Sequence, residues 1–296
     1  MESAYKSKIW SQVRVYGQMI KFSHTVFALP FALAAVILAQ RYHRLQMTDL
    51  LWIVLAMVGA RSAAMGFNRL ADAHLDAQNP RTAGREIPSG KISPMAVKLF
   101  ILLSALVFIW AAAMLGSICL YLSFVVLALL FLYSYLKRFT WLCHLYLGFV
   151  ISLAPLGAWI ALTQSVDWPI LWLSMALLTY ITGFDILYAC QDVQFDQQAG
   201  LFSIPARYGI KRALALAKII HLLSFLSFAM IYVVFDMKAP YLVAVGIIGI
   251  LLVIEHRLVN PDDLSKVPFA FFHVNSIISI TLFVGVLADE LFQRWT

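Results

Sequence analysis

Apolar positions in this chain do not alternate with polar ones. They run on for about twenty residues at a time, and polar residues gather in the gaps. Runs of that length match the hydrocarbon thickness that a helix crosses at about 1.5 Å per residue. Nine of them fall at about 20–40, 48–70, 95–115, 117–136, 142–163, 169–190, 212–234, 239–256 and 268–289. The period of two that marks the strands of an outer-membrane barrel is missing. The pattern predicts an all-α, polytopic membrane protein: nine transmembrane helices bundled around a central cavity, in one domain over 1–296. The first 19 residues are polar and mixed, and the first apolar run is long enough to span, so no cleavable signal is expected.

Composition excludes a water-soluble globule, at 62% hydrophobic and 12% charged residues with a mean hydropathy of +0.84. The charge distribution adds an orientation. Seventeen of the 22 Lys and Arg residues lie in the N-terminal segment or in the connections after the second, fourth, sixth and eighth spans. Positive loops stay inside, so the N-terminus is expected in the cytoplasm and the C-terminus outside. The net charge of +7 also suits anionic lipid. Nothing calls for nucleic acid or an obligate protein partner. Cys119, Cys143 and Cys190 lack metal-ligand spacing and read as packing residues, while His24, His144, His221 and His273 read as polar contacts between helices.

Against this apolar background two carboxylate clusters stand out where spans end. They are Asn68-Arg69-Leu70-Ala71-Asp72-Ala73-His74-Leu75-Asp76 and Asp192-Val193-Gln194-Phe195-Asp196. Each contains Asp-x-x-x-Asp, which on a continuous helix sets two carboxylates about 40° and about 6 Å apart on one face. Mg²⁺ prefers hard oxygen ligands and takes one or two carboxylates alongside substrate phosphates. The candidate metal ligands are Asp72, Asp76, Asp192 and Asp196, with Asn68 adding a neutral oxygen. Arg81, Arg85, Lys91, Lys137, Arg138 and Arg207 follow the clusters or the fourth span and are candidates to bind a diphosphate directly. Both clusters lead into loops with similar landmarks: Gly84, Ile87 and Pro88 after the first, Gly200, Ile204 and Pro205 after the second. This correspondence suggests an internal repeat whose halves face one cavity. The polar loops at 77–94 and 197–211 are expected to close over bound substrate and exclude water.

The run from Arg61 through Asn68 and Asp72 to Asp76 resembles the first aspartate-rich motif of the UbiA superfamily of intramembrane aromatic prenyltransferases. Asp192-x-x-x-Asp196 with Gly200 and Ile204-Pro205 resembles the second. Tyr133 and Lys137-Arg138 are similar to residues that family carries after its fourth span. Arg69 departs from the usual Asn-Asp pairing, but is turned about 100° from Asn68. The segment His24-Thr25-Val26-Phe27-Ala28-Leu29-Pro30-Phe31-Ala32-Leu33 resembles a bacterial 4-hydroxybenzoate polyprenyltransferase branch, members of which are also implicated in prenylating 1,4-dihydroxy-6-naphthoate. The resemblance implies Mg²⁺-dependent transfer from a polyprenyl diphosphate to a ring carbon of such an acid. It also implies a bacterial plasma membrane location with the site facing the cytoplasm, and membrane lipid around the donor's tail.

Three further groups join the candidate site. Arg61 lies seven residues before Asn68 and is costly within a membrane unless it meets an anion, either a substrate's or Asp185. Asp185, seven residues before Asp192, is a candidate catalytic group to orient or deprotonate the phenol. Tyr133 and Tyr188 are candidates on the acceptor side, and these rings with Phe67 are candidates to face an allylic cation. A transporter would also bury charges in repeated halves, without needing paired acids clustered with bases. A phosphatidyl-type transferase would show Asp-Gly-x-x-Ala-Arg, which is missing.

Overall fold

The computed structural model describes residues 2–296. Met1, and the side chains of residues 2–9 and 11, which include Lys6 and Lys8, lie outside the described residues. Helix α1 (Glu2–Met19) precedes the first span, which opens as a 3-10 turn (Phe22–Phe27) and continues as α2 (Leu29–Ala39). Pro30 sits in the first turn of α2, where its missing N–H costs nothing. The chain continues through α3 (Met47–Ala71), the short α4 (Ala73–Gln78), α5 (Pro94–Met114), α6 (Ser117–Leu136), α7 (Cys143–Thr163) and α8 (Trp168–Ala189). A 3-10 turn, α9 (Val193–Gln198) and α10 (Ile204–Tyr208) lead to α11 (Ile210–Val234), α12 (Ala239–Leu258), α13 (Val267–Phe269) and, after a π-turn at Ala270–Val274, α14 (Asn275–Trp295). Among the described residues nine helical segments are long and apolar enough to cross a membrane, each overlapping a predicted span. The predicted ends differ most for the sixth and ninth, which run on to Gln198 and Trp295.

The largest core joins α2, α7, α8, α11, α12 and α14 around Phe31, Trp159, Tyr180, Phe228 and Tyr241. Helices α3, α5 and α6 form a panel beside it. The panel packs tightly because Gly59 lets α3 approach the α5 backbone; a Cβ there would lie 2.8 Å from the Phe108 nitrogen. On the outer side of α5, Leu99, Leu102, Leu106 and Trp110 form an exposed stripe. Such a stripe fits a helix whose solvent is lipid. Between panel and core lies a cavity of about 260 Å³, lined by α3, α5, α6, α7, α8 and the start of the first span. Small side chains keep it open, among them Ala56, Ala60 and Ala64 on α3 and Ala154 and Gly157 on α7. From Asn68 to Ile53, both in its wall, α3 covers about 22 Å of the roughly 30 Å hydrocarbon thickness.

Candidate active site

Asp72 ends α3 with φ −95° and ψ 1°, and Asp192 ends the 3-10 turn after α8 with φ −104° and ψ 5°. Both lie in the bridge region, sparsely populated and frequent at active sites. The expectation of one continuous helix through each acid pair is therefore corrected: each helix breaks at its first Asp and restarts for six residues as α4 or α9. The local bonds survive the break, since the Asp72 N–H donates to the Asn68 carbonyl at 2.9 Å and the Asp76 N–H to the Asp72 carbonyl at 2.8 Å. Tertiary ties account for the bend. Arg138 donates both to the Ala71 carbonyl (2.7 Å) and to Asp72 (3.3 Å), pulling at the helix end.

Asp72 and Asp76 are buried, Asp192 and Asp196 are half-buried, and all but Asp196 are paired with bases. Lys137 Nζ lies 2.8 Å from Asp72, and Asn68 Nδ2 donates to the same carboxylate at 3.2 Å. Arg85 lies 2.6 Å from Asp76 Oδ1, while Oδ2 of Asp76 is buried without a partner. Arg81 reaches over from the first loop and forms an ion pair with Asp192 through two nitrogens, with Asn79 Nδ2 alongside at 3.3 Å. Asp196 has no basic partner among these contacts and accepts from the Ser203 hydroxyl at 2.8 Å. The first loop thus bridges the two motifs and is itself pinned: Thr82 is buried and donates to the Asp76 carbonyl, and Asn79 accepts from the Arg81 N–H.

Burial opposes the Arg81 charge, but bonds to Asp192 and to the Tyr188 hydroxyl outweigh it and raise its pKa. Lys21 is pushed the other way, by burial and then by the nearby Arg69 guanidinium. Cations therefore crowd this mouth, as a site for a multiply charged anion requires. The donor set around the acids is all oxygen and includes one orphaned carboxylate oxygen, which fits Mg²⁺. Among the described residues no three His, Cys, Asp or Glu side chains converge into a ready-made cage. Each motif instead offers one or two carboxylates, the number Mg²⁺ uses when phosphate and water complete its shell.

Arg61 lines the cavity, together with Asn68 and Tyr133. One nitrogen donates to the Lys21 carbonyl at 3.1 Å, and its Nε is buried without a partner, as is the nearby Thr25 hydroxyl. The alternative pairing of Arg61 with Asp185 is not formed. Asp185 is taken by His144, whose Nδ1 lies 2.6 Å from its carboxylate while Nε2 accepts the Ile204 N–H at 3.3 Å. Those two bonds suit the neutral tautomer carrying its proton on Nδ1.

Several sequence candidates stand apart from the acids or the cavity. Lys91 is exposed and Arg207 lies over the rings of Trp141 and Tyr208, so neither reaches the acids. Tyr188 does not line the cavity; its ring lies under Arg81 and against Phe271. Phe67 stacks on Phe131 with centroids 4.4 Å apart and belongs to packing. Arg69, turned from the acids as its register predicts, is buried and donates to the Met19 carbonyl at the end of α1. Asn79 and Ser203 were not among the sequence candidates. An Asn-Pro step such as Asn79-Pro80 favours a turn, but no spacing in the sequence encodes its folding back onto the second motif.

The sequence profile of the UbiA prenyltransferase family matches residues 28–277. The 4-hydroxybenzoate octaprenyltransferase of Vibrio campbellii is 28% identical over 96% of this chain and 98% of its own length. That of Vibrio cholerae is 30% identical over 67% of this chain and 70% of its own. A UbiA homologue from Aeropyrum pernix has the same fold, with a TM-score of 0.82 and 29% identity over 90% of this chain and 98% of the other. A homologue from Archaeoglobus fulgidus, solved bound to DMAPP and Mg²⁺, shares the fold at a TM-score of 0.73 and 17% identity over 93% of this chain and 99% of that one.

Proposed function

Since the chain belongs to the UbiA prenyltransferase family, we propose that it transfers a polyprenyl group from its diphosphate to a ring carbon of 4-hydroxybenzoate, with the active site facing the cytoplasm of a bacterial plasma membrane. The observation that carries this reading is the meeting of both acid motifs, through Arg81 and Asn79, at the mouth of an apolar cavity walled by Arg61. A diphosphate with a long apolar tail needs both environments at once. Asp72, Asp76, Asp192 and Asp196, with Asn68, would hold Mg²⁺, which when bound offsets the charge gathering on the diphosphate as the allylic carbon–oxygen bond breaks.

The bases have two jobs. At rest Arg81, Arg85, Lys137 and Arg138 neutralise the acids. With donor present they turn to its phosphates, where bidentate guanidinium bonds stabilise the leaving group. Arg61 binds the acceptor's carboxylate, which satisfies its unpartnered Nε, and the Tyr133 ring in the same wall faces the allylic cation. Asp185, oriented by His144, accepts a hydrogen bond from the phenol. The cation then attacks the carbon ortho to the hydroxyl, and loss of that carbon's proton restores the ring.

The test is mass spectrometry of products after purified protein and Mg²⁺ receive one polyprenyl diphosphate with equimolar 4-hydroxybenzoate and 1,4-dihydroxy-6-naphthoate. A prenylated benzoate is expected. A prenylated naphthoate alone reassigns the acceptor, and no prenylated product with either acid removes both assignments.

A further inference from the structure

In the half of the bundle away from the cavity, a buried polar knot remains outside the chemistry described above. Asn275 Nδ2 donates to Glu255 Oε1 at 2.9 Å and, with its other hydrogen, to the carbonyls of Phe271 (3.1 Å) and Ala270 (3.3 Å) in a shared bond, and its oxygen accepts the Tyr180 hydroxyl at 2.6 Å. Behind it, His221 Nδ1 lies 2.9 Å from His256 Nε2 and 3.6 Å from Glu255 Oε2. Asn275 and Tyr180 are completely buried. One amide therefore ties α8 and α12 to α14 and secures two carbonyls of the Ala270–Val274 π-turn. Such turns are rare and occur often at functional sites.

What the π-turn presents is Phe271. Its ring lies 4.2 Å from that of Tyr188 and 5.0 Å from that of Phe184, a residue of the cavity wall. Tyr188 in turn accepts from Arg81 Nη1 at 2.7 Å, and the Arg81 guanidinium sits 5.1 Å over its ring. The same guanidinium is paired with Asp192. A continuous line of contacts thus runs from Asn275 through Phe271 and Tyr188 to the base that bridges the two acid motifs.

We propose that Asn275 and Phe271 are positioning residues for the donor diphosphate. They hold Tyr188 as a fixed platform, and Tyr188 sets where Arg81 points when Arg81 leaves Asp192 for phosphate. This rests on the reading of Arg81 and Asp192 as donor-binding groups. Acceptor recognition, which that reading gives to Arg61, is untouched by the relay.

The test measures affinity of the full-length protein for a non-hydrolysable polyprenyl diphosphate analogue with Mg²⁺, beside the KM of each substrate. Phe271→Leu keeps apolar volume but loses the ring. It is expected to weaken analogue binding and raise donor KM about tenfold with acceptor KM unchanged. Phe271→Tyr restores the parental values, and Asn275→Ala moves in the same direction as Phe271→Leu. Because the effect passes through Arg81, Phe271→Leu adds nothing in an Arg81→Ala background. Parental binding by Phe271→Leu, an undiminished effect in the Arg81→Ala background, or equal loss for both substrates tracking loss of folded protein overturns the relay. Arg81→Ala binding the analogue as the parent does overturns the donor reading and the relay with it. Weak binding by Arg81→Ala beside normal binding by Phe271→Leu overturns the relay alone.

Discussion

Arg61 keeps a buried nitrogen without a partner in a largely apolar wall. An arginine at the centre of a spanning helix costs about 3 kcal/mol on insertion scales, and a single bond to the Lys21 carbonyl offsets only part of that. A substrate carboxylate supplies the missing partner. Arg61→Leu is therefore expected to lower kcat/KM for the acceptor by about 100-fold, the effect of removing a buried charge-assisted bond, with donor KM little changed. Steady-state kinetics varying each substrate in turn check this; a collapse confined to donor KM moves Arg61 to the diphosphate. The acids make a second residue-scale prediction. Asp72→Ala and Asp192→Ala should each abolish nearly all turnover, as should a chelator, with activity returning on addition of Mg²⁺ to the parent only. Full activity in either variant sinks the assignment of metal ligands.

At the scale of elements, the spans and the position of the acid clusters at span ends were legible because both follow from local rules: unbroken apolar length, and charge where a lipid-spanning helix tolerates little. The breaks at Asp72 and Asp192 were not. They depend on Arg138 holding the end of α3 and on loop residues arriving from elsewhere, which no spacing within the motif encodes. The same holds for Lys91 and Arg207, basic and near in sequence, yet one is exposed and the other lies in α10 over the rings of Trp141 and Tyr208. His144 was legible only as an interhelical contact; that its partner is Asp185 required the register of α7 against α8. The first loop was expected to close on substrate, and here it already folds onto the acids through Asn79 and Thr82. Asn79→Ala should release it. Limited proteolysis is expected to cut the variant between residues 79 and 93 several times faster than the parent, with donor kcat/KM down about tenfold, since one bond to a buried charge is worth about 1.5 kcal/mol or more. Equal cleavage would show that Thr82 and the backbone bonds suffice.

For the whole molecule, pairing of acids with bases at rest means that either ligand arriving alone meets groups that are already engaged. Metal must displace bases that have nowhere to go, and diphosphate must recruit bases still held by acids; each ligand relieves the other's cost. Linkage then requires Mg²⁺ and the diphosphate analogue to raise each other's affinity by the same factor, expected at tenfold or more and measurable by calorimetric titration in both orders. Independent binding would mean the ion pairs persist in the complex. The slot beneath the mouth carries a different consequence. Lined mostly by apolar side chains and running about 22 Å along α3, it accepts the donor's apolar tail in the proposed reading, so once the bilayer is removed the surfactant used for extraction competes for it. Purified protein in long-tailed maltosides should then show a donor KM that climbs with micelle concentration, and reconstitution into lipid nanodiscs should bring it back down.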